Sequence, residues 1–211
     1  MLMNVIKSLN WRYAVKKFDA SKKLSDAKLK ILTEAFNLTA TSYGLQPLRL
    51  VVVSDNALQK RLYAASMNQS QVRDASHVLV ICIENEVKAS YVDTYFDRVH
   101  DIRDTPETIL KPFRETLKKQ FNNQNPEKTQ QWATNQAYLA LGNLLTVCAI
   151  EEIDACPMEG FIPSEYDSVL ELDRYKISSV LVLPVGYRAA DDMFADFKKV
   201  RRSTEDTIIS I

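Results

Sequence analysis

The sequence predicts an α+β domain, with three or four strands set among about seven helices. Three observations carry that expectation. First, His77–Glu84 (HVLVICIE) and Ile177–Val185 (ISSVLVLPV) are nearly continuous in apolar residues, and Arg49–Ser54 (RLVVVS) is rich in β-branched ones. Runs of that kind form buried strands. Second, the stretches between them show helical periodicity, closed by capping residues and prolines. Third, Gln130–Ile150 contains no formal charge, and a helix apolar nearly all round lies inside something. No internal repeat, low-complexity segment or linker interrupts the chain, so residues 1–211 read as one domain.

In chain order, residues 4–10 suit a short helix through Val5, Ile6 and Leu9. Arg12–Phe18 is basic and alternating; if extended, it puts Arg12, Ala14 and Lys16 on one side. A helix capped by Ser25 follows, and Thr39–Pro47, hydroxyl-rich and broken by Gly44 and Pro47, is a loop. After the first strand, Asp55 or Asn56 caps a helix, and Met67–Gln71 reads as polar loop. Residues 86–121 form an interrupted, highly charged helical excursion in which Pro112 should kink or shorten the second piece. Taken to about residue 125, this excursion is expected to act as a flap. Asn125 caps the central helix with Pro126 at its first position, and Pro163 opens another helix. Pro184 is expected at an edge or boundary of the third strand, and Thr207–Ile211 (TIISI) is a β-prone end with nothing in its own chain to cover it.

The central helix is long enough to span a membrane. Asn135, Gln136, Gly142 and Asn143 argue against that, and no flanking basic asymmetry sets an orientation. A core helix packed also against a second subunit fits better. Lys+Arg and Asp+Glu both number 27, so the balance gives no sign of nucleic acid or an anionic membrane as partner. No secretion signal is evident at the N-terminus. Cys82, Cys148 and Cys156, odd in number and set among apolar neighbours, suit reduced thiols in the cytoplasm.

Four glycines, far apart, exclude a GxGxxG turn and a Walker loop, so any phosphate must be held by Arg and Lys side chains. Two histidines without Cys or His neighbours at ligand spacing leave no zinc motif, and no G-x-S-x-G elbow occurs. Two basic clusters, Arg12/Lys16/Lys17 and Lys198/Lys199/Arg201/Arg202, form a phosphate clamp if they converge; otherwise they are solvated surface. Glu159-Gly160 would let a backbone amide approach a flat ligand, or is a plain turn. Asn68 offers a paired donor and acceptor for an amide edge, or is an exposed loop residue.

Arg12-x-x-x-Lys16-x-Phe18, Thr41-Ser42-x-x-x-Gln46-Pro47, Asn68 ahead of Asp74-Ala75-Ser76-His77, Gly142-Asn143, Pro157-x-Glu159-Gly160-Phe161, Pro184-Val185-Gly186 and Lys199-x-Arg201 occur in that order. With these motifs the chain resembles the FMN-dependent nitroreductases, in particular the oxygen-insensitive NAD(P)H nitroreductase and flavin reductase branch. The resemblance implies a three-layer α/β/α sandwich with a mixed, mostly antiparallel sheet. It also implies an intertwined homodimer whose C-terminal segments cross to extend the partner's sheet, with FMN at the subunit interface. Arg12, Lys199 and Arg201 would hold the phosphate, Lys16 would lie near N1–C2=O, and Asn68 would bond the pyrimidine edge. Glu159 and Gly160 would sit over N5, and Thr41 and Ser42 would reach over from the other subunit. Tyr13, Ala14, Gln46, Pro157 and Met158 would line the cofactor, and Phe113 or Phe121 would wall the substrate.

The implied activity is ping-pong transfer of hydride from NADH or NADPH to nitroaromatics, quinones or similar small acceptors. Two alternatives stand beside it: another flavin-dependent reaction (removal of a substituent, or flavin cleavage) and a non-enzymatic dimer. The chain has Ala14, Gly44 and Leu48 where many relatives have Ser, Asn and Trp, departures that bear on cofactor affinity and substrate choice.

Overall fold

A computed structural model describes residues 4–211; the first three residues of the expected 1–211 domain lie outside it. Four strands, β1 (Leu48–Val53), β2 (His77–Glu84), β3 (Asp154–Ala155) and β4 (Ile177–Gly186), form one sheet in the order β1-β2-β4-β3. All pairings between these strands are antiparallel. Side chains alternate across the two central strands and meet helices on both sides. Val78, Val80, Cys82 and Val182 pack with Leu62, Val72 and Tyr166. Leu79, Ile81, Leu181 and Leu183 pack with Leu32, Ala137 and Leu144. The result is a three-layer α/β/α sandwich whose core strands are apolar on both faces because both faces are covered.

The helices are α1 (Val5–Trp11), α2 (Asp26–Asn37), α3 (Asn56–Ala64), α4 (Ser70–Asp74), α5 (Ala89–Arg103), α6 (Glu107–Asn123), α7 (Pro126–Ile150), α8 (Pro163–Val169) and α9 (Thr204–Thr207). Local chemistry sets their starts. The side chains of Ser25, Asp55 and Asn125 each accept from an amide of the first turn, while Pro126 and Pro163 occupy first helical positions. In α7, Ala133, Ala137 and Ala140 are buried, and their small side chains let the helix lie close on the sheet. Leu144, fully buried there, contributes about 1.5–3 kcal/mol of burial. Two polar residues of α7 tie it to its surroundings. Gln136 accepts from the Ser42 amide at 2.9 Å, and Asn143 donates to the Ala35 carbonyl at 2.8 Å. No helix among the described residues is long and apolar enough to cross a membrane.

Three local expectations are corrected. The polar stretch Met67–Gln71 is only partly loop, because α4 starts at Ser70 after two left-handed residues, Met67 and Asn68. Helix α6 runs through Pro112 without being shortened. Pro112 and Thr108 are both exposed, so the carbonyl deprived of its amide partner is hydrated instead. Pro184 lies inside β4, a central strand. The pairs Asp154–Gly186, Ala155–Val185 and Met158–Val182 share one register, and in it Pro184 accepts from the Cys156 amide at 3.1 Å with no N–H to return. Proline thus cuts the ladder where β3 stops. Finally, the end of the chain forms no strand with its own sheet: Thr204–Thr207 is a helical turn, while Ile209 beyond it is 86% exposed, uncovered by its own chain as expected.

Candidate functional site

Arg12–Phe18 follows α1 as extended chain that belongs to no strand. Val15 donates to the Ala155 carbonyl at 3.3 Å beside a parallel bridge between Ala14 and Ala155. Its other edge meets the chain after β4: Ala189 donates to Lys17 O at 2.9 Å, and Asp19 to Tyr187 O at 2.8 Å. Two acids fix the segment from this side. Buried Asp154 pairs with Arg188, whose Nε donates at 2.8 Å. The Arg188 guanidinium lies over the rings of Trp11 and Tyr13, 4.3 and 4.6 Å from their centroids. Buried Asp192 accepts from the Tyr13 hydroxyl at 2.8 Å and from the Lys16 amide at 2.9 Å. Burial opposes the Asp192 charge, but these donors outweigh it and hold the carboxyl below its usual range. The Tyr13 hydroxyl is pushed up, by burial first and then by its bond to Asp192.

The two basic clusters converge. The Lys199 ammonium donates to the Arg12 carbonyl. Burial lowers the pKa of Arg12, and the charge of Arg201 lowers it further. Lys199 is lowered by burial and then by Arg12, Arg201 and Arg188. Arg188 is ion-paired with Asp154 although its Nη2 lacks a well-aligned hydrogen bond, whereas Arg12 Nε is buried with no acceptor and Arg12 has no acidic partner among the described residues. With the Lys199 ammonium on the Arg12 carbonyl, the Arg201 charge acting on Arg12 and Arg12 Nε left without an acceptor, this end of the chain suits an anion.

Lys16 is exposed, and its charge acts on the turn that follows β3. The Cys156 thiol is raised by burial, and the charges of Lys16 and Arg12 partly offset the shift. Beyond Pro157, the Met158 side chain enters the core while its backbone pairs with Val182. Glu159 and Gly160 then come to the surface. Gln69 Nε2 donates to Gly160 O at 2.9 Å, which draws Asn68, exposed and left-handed at φ +54°, alongside this turn. A Cβ on Gly160 would stand 2.8 Å from Gln69 Nε2, so glycine permits the approach. Tyr138 of α7 donates to Glu159 at 2.6 Å.

Thr41, Ser42 and Gln46 do not join this group within the chain. Ser42 hangs from Gln136, whereas Glu159 is held by Tyr138; two residues turn a helix by about 200°, so these anchors lie on nearly opposite faces of α7. Gln46 is committed locally, its side chain donating to Asn37 O at 2.6 Å and its carbonyl accepting from Tyr91. Phe113 and Phe121 both flank Tyr43 at 6.3 Å between ring centroids. Phe121 is buried; Phe113 is 48% exposed. Tyr43 and Gly44 take positive φ, and a Cβ on Gly44 would meet the Tyr95 hydroxyl at 2.5 Å, which accounts for glycine at this position.

The sequence singles out Arg12, Lys16, Lys199 and Arg201 as candidates but not Gln69, Gln136, Tyr138, Asp154, Arg188 and Asp192, whose contacts hold the candidate site. Only Asp191-Asp192, an acidic pair opposite so basic a tail, carries a signal that points there.

Residues 9–187 match the model of the Nitroreductase family. A provisionally named NAD(P)H nitroreductase of Staphylococcus epidermidis is 31% identical, with 99% of this chain and 97% of that protein covered. A second provisionally named NAD(P)H nitroreductase, YfkO of Bacillus subtilis, is 28% identical over 97% of this chain and 96% of its own length. The fold superposes on Bacillus subtilis YdfN with a TM-score of 0.86 at 16% identity, covering 98% of each chain. It superposes on an Exiguobacterium sibiricum structure, solved in complex with FMN, with a TM-score of 0.83 at 17% identity, covering 99% and 97%. From the sandwich, the converging cations and these matches together, the chain belongs to the nitroreductase family.

Proposed function

We propose that this protein is an FMN-dependent oxidoreductase, a homodimer that uses NADH or NADPH to reduce nitroaromatics, quinones or similar small acceptors. The observation that carries the reading is the contact of the Lys199 ammonium with the Arg12 carbonyl beside an unpartnered, buried Arg12 Nε, with the Arg201 charge acting on both residues. A phosphate monoester dianion relieves their repulsion and fills the donor, with arginine supplying forked bonds and lysine a point charge. When bound, FMN would supply the hydride chemistry between the nicotinamide and the acceptor. Lys16 holds positive charge beside the ring, where negative charge develops on reduction. Gly160 offers its amide, Asn68 its amide side chain, and Glu159, fixed by Tyr138, borders the face that nicotinamide and acceptor occupy in turn. Ala14, Pro157 and the Met158 backbone complete the wall. Tyr13 braces the cradle through Asp192.

The dimer follows from what one chain leaves open. Tyr138, Leu139 and Gly142 form an exposed stripe on α7, and nothing lies within 4 Å of a Cβ built on Gly142. Ile6 and Leu9 of α1 are exposed too. A second copy packed here brings Thr41, Ser42 and the aromatic wall of Phe113 and Tyr43 to its partner's ring. Helices α5 and α6 serve as the flap above it. Edge strand β1 and the groove lined by Leu50, Leu170, Leu172 and Ile177 receive the partner's Ile208–Ile211 tail. Three buried free thiols suit the cytoplasm.

The purified protein is expected to be yellow and to bleach anaerobically with NADH or NADPH, the colour returning when a quinone or nitroaromatic is added. A folded, colourless preparation that takes up no FMN overturns the reading.

A further inference from the structure

Asp192 has a task that no motif assigns to it. Its Oδ2 atom accepts from three donors, the Tyr13 hydroxyl at 2.8 Å, the Lys16 amide at 2.9 Å and the Lys17 amide at 3.1 Å. Its Oδ1 accepts from the Phe194 amide at 3.2 Å. The residue is 5% exposed, so the carboxylate is an internal anion with its bonding capacity largely used. Neighbouring Asp191 faces solvent and pairs with the exposed Lys17 ammonium. The two acids adjoin in sequence but do different work.

Lys16 and Lys17 lie between the bridge at Ala14 and the bridge at Phe18. Their amides have no backbone carbonyl as partner, and two successive N–H groups aimed at one oxygen form an anion-binding concavity. Backbone bonds hold this stretch at the Val15 amide and the Lys17 carbonyl. Without an internal acceptor, though, the two peptide units on either side of Lys16 would lose their bond to Asp192, and the direction in which the Lys16 side chain leaves the backbone would be less fixed. We propose that Asp192 is a positioning residue: its carboxylate fixes the Lys16 backbone so that the ammonium stands beside the flavin ring. Tyr13 is the second arm of the same brace, linking Asp192 to the ring stacked under Arg188. The inference rests on the FMN-binding reading above.

The test is a double-mutant cycle on the full-length apo-protein, made from wild type, Asp192→Ala, Lys16→Ala and the double variant. FMN affinity is read from quenching of flavin fluorescence, and the thermal midpoint of each apo-protein is recorded beside it. Each single variant is expected to bind FMN about tenfold more weakly, while adding Asp192→Ala to Lys16→Ala costs less than about threefold more. A merely structural Asp192 lowers the thermal midpoint and gives additive losses, which overturns the proposal, as does wild-type affinity in Asp192→Ala. If Asp192→Ala does not fold, Asp192→Asn replaces it; it keeps an acceptor oxygen for both amides and is expected to show a milder loss with the same non-additivity. Additivity there is equally fatal. If wild type itself takes up no FMN, the FMN-binding reading and this inference fall together; if wild type binds and the losses add, only the role of Asp192 falls.

Discussion

The Lys199 ammonium donates to the Arg12 carbonyl, joining residues 187 positions apart. That contact puts the basic tail against the basic start of the chain, where like charges do not gather without a reason. Nearby acids are already engaged: Asp154 holds Arg188, and Asp192 holds Tyr13 and the amides of Lys16 and Lys17. Like charges gathered in this way cost stability while no anion lies among them.

That cost depends on pH. The folded-state pKa of Lys199 lies below its ordinary value of 10.5, so the unfolded chain binds its proton more readily than the folded one. The penalty is fully present below the folded value and fades as pH rises toward 10.5. Lys199→Met is expected to stabilise the apo-protein relative to wild type near neutral pH, with an advantage that shrinks as pH approaches that limit. Urea unfolding at a series of pH values below 10 checks this; a constant or growing advantage contradicts it.

Association is expected to depend on the uncovered stripe of α7. Leu139 is 55% exposed and adjoins Tyr138. Leu139→Glu places a charge in the proposed interface, and sedimentation should then return the 24.1 kDa of one chain where wild type returns twice that. A wild-type protein that sediments as a single chain contradicts the dimer.

Gly44 has φ +74°, and its missing Cβ would lie 2.5 Å from the Tyr95 hydroxyl. Gly44→Ala is expected to destabilise the fold by about 1–3 kcal/mol through backbone strain and this clash. Tyr95→Phe removes the nearest atom, so the same substitution should cost less in that background. Chemical denaturation of the four proteins decides it; equal costs in both backgrounds rule out the clash.

How much of this was legible in the sequence depended on whether the cause was local. Caps at Ser25 and Asn125, prolines at 126 and 163 and the apolar runs of β2 and β4 act within a few residues, and each appears where the sequence puts it. Pro112 does not shorten α6, because the carbonyl it deprives of a partner lies on an exposed face. Pro184 misled because the strand it interrupts is central, with a neighbour that tolerates one missing bond. At the site, the proposed clamp residues could be singled out because few alternatives for holding phosphate remained in a chain so poor in glycine. Their braces were not. Nothing local separates Asp192 from Asp191, and nothing in α7 marks Gln136 and Tyr138 as anchors for loops distant in sequence. Those roles exist only after the chain has packed.

The central claim is that Arg12 and Arg201 hold the phosphate of FMN. Its most direct test is titration of apo-protein with FMN, followed by flavin fluorescence, for wild type, Arg12→Ala and Arg201→Ala. Tight binding by wild type and affinity at least about tenfold weaker in each variant, with apo stability unchanged or raised, is the predicted result. Equal affinity in all three proteins, or no uptake by wild type, contradicts it.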